Sequence, residues 1–214
     1  MTTENAGPET PAGTPRVEVL DKQTPYKGYF QMDVYKLRHR TFAGGWTEPM
    51  SRELFERGHA AAVLPYDPER DCLVLIEQFR IGAFAAGVEP WLLEVVAGII
   101  DEDDTPVEVV RREATEEASL EIQELVPIGT FLMTPGASSE TLAMFCGRVD
   151  SAGAGGLHGL AHEGEDIRSF VVPTDEALPL VMASPCPNAN TVIALQWLLL
   201  NRDDLRRRWA PAAP

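Results

Sequence analysis

Positive charge is scarce in this chain. Its 18 lysines and arginines face 33 aspartates and glutamates, a formal net charge of −15 over 214 residues. That balance argues against nucleic-acid binding, which draws on a basic surface. It also sets a problem for any phosphate-ester substrate, because local cations must then overcome a repulsive field. Cysteine is equally sparse. Cys72, Cys146 and Cys186 are widely spaced and odd in number, show no zinc spacing, and fit buried thiols in a reducing cytoplasm. His39, His59, His158 and His162 show no ligand spacing either. No apolar run reaches transmembrane length, and the first residues lack the basic-then-apolar pattern of a secretion signal. No internal repeat is present. A soluble cytoplasmic protein is expected.

What remains is ordinary globular material. Apolar residues make up 44 % and charged residues 24 %, enough for a real core, and the length fits one domain of usual size plus a smaller one. Residues 1–15, rich in Pro, Thr, Gly and Glu, are expected to form a disordered tail, with a second short tail at 210–214. Residues 16–57 contain extended runs at 17–20, 28–39 and 46–55, with Gly44-Gly45 as a turn: a small antiparallel β domain. So few strands bury little. The domain is therefore expected to pack on another surface, such as a second subunit's.

Residues 58–209 read as the larger domain. Strands are expected at 60–64 and 72–78 around a hairpin at 66–70, and at 91–97, 124–133, 141–149 and 168–172. A Gly-rich loop is expected at 151–159, and helices at 174–182 and 190–207, with Asn188 or Asn190 as the last cap. Strands interrupted by one helix and finished by helices predict a mixed sheet between helical layers, an α/β fold. The interrupting helix has a marked start. Thr105 can cap it, Pro106 suits its first position, and Glu108 completes a capping box. Val107, Val110, Ala114 and Ala118 recur at helical spacing and are expected to face the core. Glu113, Glu116 and Glu117 are expected to share one exposed stripe. Such a stripe is either a solvated acidic face or a site for hard divalent cations, which prefer oxygen ligands.

Residues 98–120 together resemble the Nudix box, Gly-x5-Glu-x7-Arg-Glu-U-x-Glu-Glu-x-Gly-U, where U is bulky and aliphatic. Gly98, Arg112, Glu113, Glu116, Glu117 and Leu120 match it. Asp104 stands where the pattern has Glu, Ala114 is small at the first U, and Ser119 replaces the second Gly. Asp104 can still pair with Arg112. Ser119, if left-handed, costs about 1–2 kcal/mol. The resemblance runs from Val17 to Trp209, through stretches such as Leu75-Ile76-Glu77-Gln78-Phe79-Arg80, Trp91-Leu92-Leu93-Glu94 and Gly164-Glu165-Asp166-Ile167-Arg168. It is strongest to the bacterial ADP-sugar diphosphatases of the Nudix superfamily, and Pro135, fifteen positions after Leu120, resembles the mark of the ADP-ribose branch.

That resemblance implies an α/β/α sandwich preceded by a small β domain, which is exchanged in a homodimer. It implies Mg²⁺ as cofactor, with Mn²⁺ as a possible substitute, and a nucleoside diphosphate sugar as substrate. The implied metal ligands are the Ala97 carbonyl, Glu113, Glu117 and Glu165, with Glu116 supporting a ligand or binding through water. Glu163 is the implied general base. Arg52, Arg57 and Arg80 would contact substrate. Tyr29 and Phe30 would stack on its adenine across the dimer, although Phe30 and Met32 read equally well as core residues. Glu53, Ile99, Thr134, Pro135, Gly136 and Glu140 would surround the terminal ribose and pyrophosphate. The expected activity is hydrolysis of ADP-ribose to AMP and ribose 5-phosphate. The alternatives are another sugar nucleotide, such as ADP-glucose or GDP-mannose, and a non-catalytic module that senses ADP-ribose.

Overall fold

The structure, a computed structural model, describes residues 15–160 and 164–210. Of the tails expected at 1–15 and 210–214, residues 1–14 and 211–214 lie outside the described residues, as do His162 and Glu163. The chain divides into two compact units, one containing the chain up to Gly58 with Leu132–Glu140, the other His59–Phe131 with Thr141 onward.

The first unit is an antiparallel sheet of β1 (Val17–Lys27), β2 (Gln31–His39) and β3 (Met50–Glu56), in that order. β1 runs well beyond the expected 17–20. Register shifts at Val19/Asp21 and Gln23/Tyr26 each insert residues without ending the pairing, the property of a bulge. Asp33 is fully buried and receives Lys22 Nζ at 2.8 Å, Thr24 Oγ1 at 2.6 Å and Gln31 Nε2 at 2.8 Å. Lys22 above all holds its carboxyl down to about 2. Val17, Val19, Leu20 and Tyr26 remain exposed on β1.

The second unit is built on a sheet ordered β10-β11-β5-β4-β9-β8, comprising β4 (Ala60–Asp67), β5 (Cys72–Phe79), β8 (Glu124–Leu132), β9 (Thr141–Arg148), β10 (Gly156–His158) and β11 (Ile167–Pro173). β4 runs parallel to β9 and antiparallel to β5, so the sheet is mixed. Every residue of β4 is buried, as a strand covered on both faces must be. Ala61 and Val63 face one layer, packed with Val74, Ile76 and the helix α2 (Pro106–Ala118) through Val109, Val110, Ala114 and Ala118. Side chains alternate along a strand, and the other layer is α3 (Thr174–Met182) and α4 (Ala189–Arg208), with Val181, Leu195 and Leu198 buried. This is an α/β/α sandwich, preceded in sequence by the small β sheet.

Several local expectations are corrected. Residues 91–97 form two strands, β6 (Trp91–Glu94) on β5 and β7 (Val96–Ile99) on β4. Val95 N donates to Thr191 Oγ1 of α4 at 3.1 Å, which satisfies the amide where the chain changes partner. β4 and β5 pair only at Tyr66–Leu73 and Asp67–Cys72. Over Ala60–Val63, β7 takes the place of β5. The glycine-rich stretch contains β10, paired with Ile167–Ser169, and α1 (Ile81–Ala85) was not expected. Cys72 and Cys146 are buried, but Cys186 is exposed.

Candidate active site

The start of α2 follows from local chemistry. Thr105 Oγ1 accepts from Glu108 N at 3.3 Å, Glu108 Oε2 accepts from Thr105 N at 2.8 Å, and Pro106 opens the helix. The far end is Ser119, at φ 52° and ψ 39°, a left-handed residue without glycine's freedom. Ser119 Oγ is bonded to His158 Nδ1 at 3.3 Å, which ties the helix end to β10. Asp104 takes the role the longer Glu would have, accepting from Arg112 Nη1 at 2.6 Å.

Two side chains on the helix depart from the expected pattern. Val107 is exposed, because the first turn extends past the core cluster, which begins at Val109. Glu117 is not on an exposed stripe. It lies seven residues beyond Val110, hence on the same helical face, and is only 3 % exposed. Glu113 and Glu116 are half-buried.

Glu117 reaches toward β7, where Ala97 N donates to its Oε2 at 3.2 Å. Gln78 Nε2 faces its Oε1 at 3.5 Å. Glu113 lies against Gly98, where an added Cβ would stand 2.0 Å from Glu113 Oε1, so any larger residue would displace the Glu113 carboxylate from this position. Burial pushes the Glu117 carboxyl up to about 8, with Glu113 and Glu165 adding to the effect, while the Ala97 amide and Arg80 oppose it. Burial raises Glu113 too, and Arg112 only partly offsets this. Glu165 accepts from Leu160 N at 3.2 Å, and its own N donates to Leu160 O at 3.3 Å.

Among the described residues no three His, Cys, Asp or Glu side chains already gather round one point. The donors nevertheless fit a hard divalent cation. They are oxygens only, and two of them are carboxylates whose charge the fold itself disfavours.

Arg80 belongs to the same unit. Its Nε and Nη2 both bond Glu94 Oε2, at 2.9 and 2.7 Å. Ile99, the last residue of β7, pairs with Ala60 of β4 and is half-buried. In the first unit, Arg57 Nη1 meets Glu140 Oε1 at 3.0 Å, and the Arg57 guanidinium lies 5.5 Å from the Phe30 ring centre. Phe30 packs edge-on against Tyr29 and Phe55, with Tyr29 itself exposed. Thr134 opens a turn, its carbonyl accepting from Ala137 N and Ser138 N, and Pro135 and Gly136 are exposed within it. Arg52 and Glu53 are exposed on β3, and Arg52 Nη1 donates to the neighbouring Ser51 carbonyl at 2.9 Å. The structure thus gathers Ala97, Ile99, Glu113, Glu117 and Arg80 around α2 and β7, and Phe30, Arg57 and Glu140 in the other unit.

Sequence reasoning did not place Glu94, Gln78 or Asn188 at the site, although it named Asn188 as a helix cap. Glu94 is 3 % exposed and accepts from Arg80, from Gln78 Nε2 at 3.4 Å and from Asn188 Nδ2 at 2.7 Å. The available signal was a lone carboxylate inside the apolar run 91–97, since a buried charge requires partners.

Comparison with known proteins is consistent with this geometry. A NUDIX domain matches residues 56–187. The chain is 48 % identical over 194 residues to the ADP-ribose pyrophosphatase of Escherichia coli (strain K12), covering 91 % of this chain and 93 % of that one. It is 40 % identical over 196 residues to the ADP-ribose pyrophosphatase of Haemophilus influenzae, covering 90 % of each. A crystal structure of an ADP compounds hydrolase superposes with a TM-score of 0.68 over 92 % of this chain and 98 % of the other, at 20 % identity, a likeness of fold. With a NUDIX domain matched over residues 56–187 and 40–48 % identity to these relatives over nine-tenths of its length, the chain belongs to the Nudix hydrolase family.

Proposed function

We propose that the chain hydrolyses the pyrophosphate bond of ADP-ribose, giving AMP and ribose 5-phosphate, with Mg²⁺ as cofactor and Mn²⁺ able to replace it. The chemistry rests on one observation: Glu117, one turn beyond Glu113 on α2, is a carboxyl side chain only 3 % exposed, turned towards β7 with Ala97 N at 3.2 Å and Gln78 Nε2 at 3.5 Å as its hydrogen-bond donors. The choice of substrate is supported by identity to two ADP-ribose pyrophosphatases over nine-tenths of the chain and by Pro135.

In this reading Ala97 (through its carbonyl), Glu113, Glu117 and Glu165 hold the ion, with Glu116 in support. When bound, such an ion neutralises phosphate charge and lowers the pKa of water. Glu163 takes the proton from the attacking water. Leu160 and Glu165, on either side of that segment in sequence, are joined by two hydrogen bonds, and Gly164, next to Glu165, has φ 74°. Arg80 offers guanidinium N–H groups to phosphate. Arg52, Glu53, Arg57, Glu140, Ile99 and the Thr134-Pro135-Gly136 turn contact ribose and pyrophosphate, and Tyr29 with Phe30 stacks on adenine.

We assign the protein to the cytoplasm, where unpaired cysteines persist. Among the described residues no helix is long and apolar enough to cross a membrane. The working form is a homodimer with an exchanged N-terminal sheet, a reading supported by the exposed Val17, Val19, Leu20 and Tyr26 of β1. AMP release from ADP-ribose, with and without Mg²⁺, tests the activity, and no turnover at micromolar enzyme rejects it. ADP-glucose and GDP-mannose in the same assay test the choice of sugar nucleotide. Faster turnover of either would reassign the substrate.

A further inference from the structure

Arg80 does not stand alone beside the acidic ridge. Its Nε and Nη2 converge on a single oxygen, Glu94 Oε2, which leaves the remaining N–H groups of the guanidinium available for other acceptors. The other oxygen, Glu94 Oε1, accepts from Asn188 Nδ2 at 2.7 Å. Asn188 is itself fixed, because its Oδ1 caps α4 by accepting from Asn190 N at 2.8 Å and Thr191 N at 3.3 Å. Glu94 is therefore a buried carboxylate clamped between a helix cap and an arginine whose side chain is 44 % exposed. The Gln78 amide nitrogen lies between Glu94 Oε2 and Glu117 Oε1, at 3.4 and 3.5 Å. It is a neutral donor separating two buried carboxylates.

We propose that Glu94 is a positioning residue for the hydrolytic reaction: it aims Arg80 at the substrate's phosphates, with Asn188 fixing the carboxylate and Gln78 holding it apart from Glu117. This deepens the function proposed above and rests on it. A flexible arginine in a chain of net charge −15 has many carboxylates to choose from. Anchoring it at one oxygen lowers the ordering cost of binding an anion, which is what preorganisation supplies. Burial opposes the Arg80 charge, and Glu94 more than compensates. The guanidinium also lies within electrostatic reach of Glu117 and Glu165, which places it beside the ridge where the phosphates would bind.

The test uses the full-length chain. Glu94→Gln keeps the shape and one acceptor but removes the charge that holds Arg80. Its KM for ADP-ribose is expected to rise at least tenfold, with kcat changed much less. The Mg²⁺ concentration that half-saturates thermal stabilisation, read without substrate, is expected to stay within twofold of wild type. Combined with Arg80→Ala, Glu94→Gln is expected to add little to the KM of Arg80→Ala alone, because it acts through that side chain. Asn188→Ser keeps an N-cap and removes only the donor to Glu94. It is expected to shift KM the same way by a smaller factor, and it serves if Glu94→Gln folds poorly. Additive KM effects in the double variant, or an unchanged KM in both single variants while wild type turns over, overturn the proposal. An inactive wild type would instead reject the hydrolase reading.

Discussion

Replacing Glu117 by Gln separates the cost of the candidate metal site from its use. The folded protein holds this carboxyl at about 8, against 4.5 for an unperturbed glutamate, chiefly through burial. The native state therefore binds the proton more tightly than the unfolded state. Without a cation, stability falls as pH rises from 4.5 towards 8. At pH 7.5 the penalty is about 4 kcal/mol, and at pH 5 it is below about 1 kcal/mol. Gln can still accept from Ala97 N but cannot reproduce every contact, so a net gain of about 2 kcal/mol is expected at pH 7.5. For a chain of this size that raises Tm by roughly 4–8 °C. At pH 5 the lost contacts outweigh the small penalty, so the variant should there be the less stable of the two, by about 1 kcal/mol. Saturating Mg²⁺ should reverse the order, stabilising wild type and leaving the variant almost unmoved, and turnover should fall at least 100-fold. Thermal melts of both proteins at the two pH values, with Mg²⁺ or EDTA, provide the assay. Equal destabilisation of the variant at pH 5 and 7.5 in EDTA would refute the argument, because it would mean that Glu117 is an ordinary packed side chain.

Three further outcomes are expected. Glu163→Gln should lower turnover at least about 100-fold while keeping the Mg²⁺-dependent rise in Tm, and loss of both would move Glu163 into the metal site. Asp67→Asn should cost about 2–3 kcal/mol, read as a shift in the urea midpoint at pH 7. Burial alone would raise the Asp67 carboxyl, but donors from Glu69, Arg70 and Ser151 hold it well below the usual range. Its contribution is complete above the unfolded value of 3.8 and is lost as pH falls below it, so the two proteins should converge in acid. Ser119→Gly should stabilise by about 1 kcal/mol in the same measurement by relieving the left-handed strain. An unchanged midpoint would mean that the bond to His158 fully offsets the strain.

Whatever depends on near neighbours was legible in the sequence. The capping box at Thr105 and Glu108, the pairing of Asp104 with Arg112 and the Asn188 cap all involve residues within eight positions of each other, and each side chain declares its own role. Partner choice was not legible. Nothing in Trp91–Ile99 states that the first four residues pair with β5 and the last four with β4, because that depends on where Thr191 of α4 arrives to take the Val95 amide. Glu94 was invisible as a site residue for the same reason: Asn188, its donor, lies 94 positions away in the chain.

Glu117 is the instructive case, because two spacings within a single helix make opposite demands on it. Spacing of three and four places Glu113, Glu116 and Glu117 near each other, and charge suggests that they face water. Spacing of seven places Glu117 over Val110, and Val110 is in the core. The second relation wins because the sheet covers that whole stripe, whatever residue occupies it. A helix that was selected only for stability would carry a Leu at 117. That it carries a carboxylate, at a cost of several kcal/mol at neutral pH, implies that something offsets the charge during use. The Ala97 amide at 3.2 Å, the Gln78 side-chain amide at 3.5 Å and the more distant charge of Arg80, itself bound to Glu94, do not outweigh the burial. In the function proposed above a divalent cation is that compensating charge, which the Glu113 and Glu117 oxygens would accept, and in a chain this acidic it would also bring a phosphate substrate within reach.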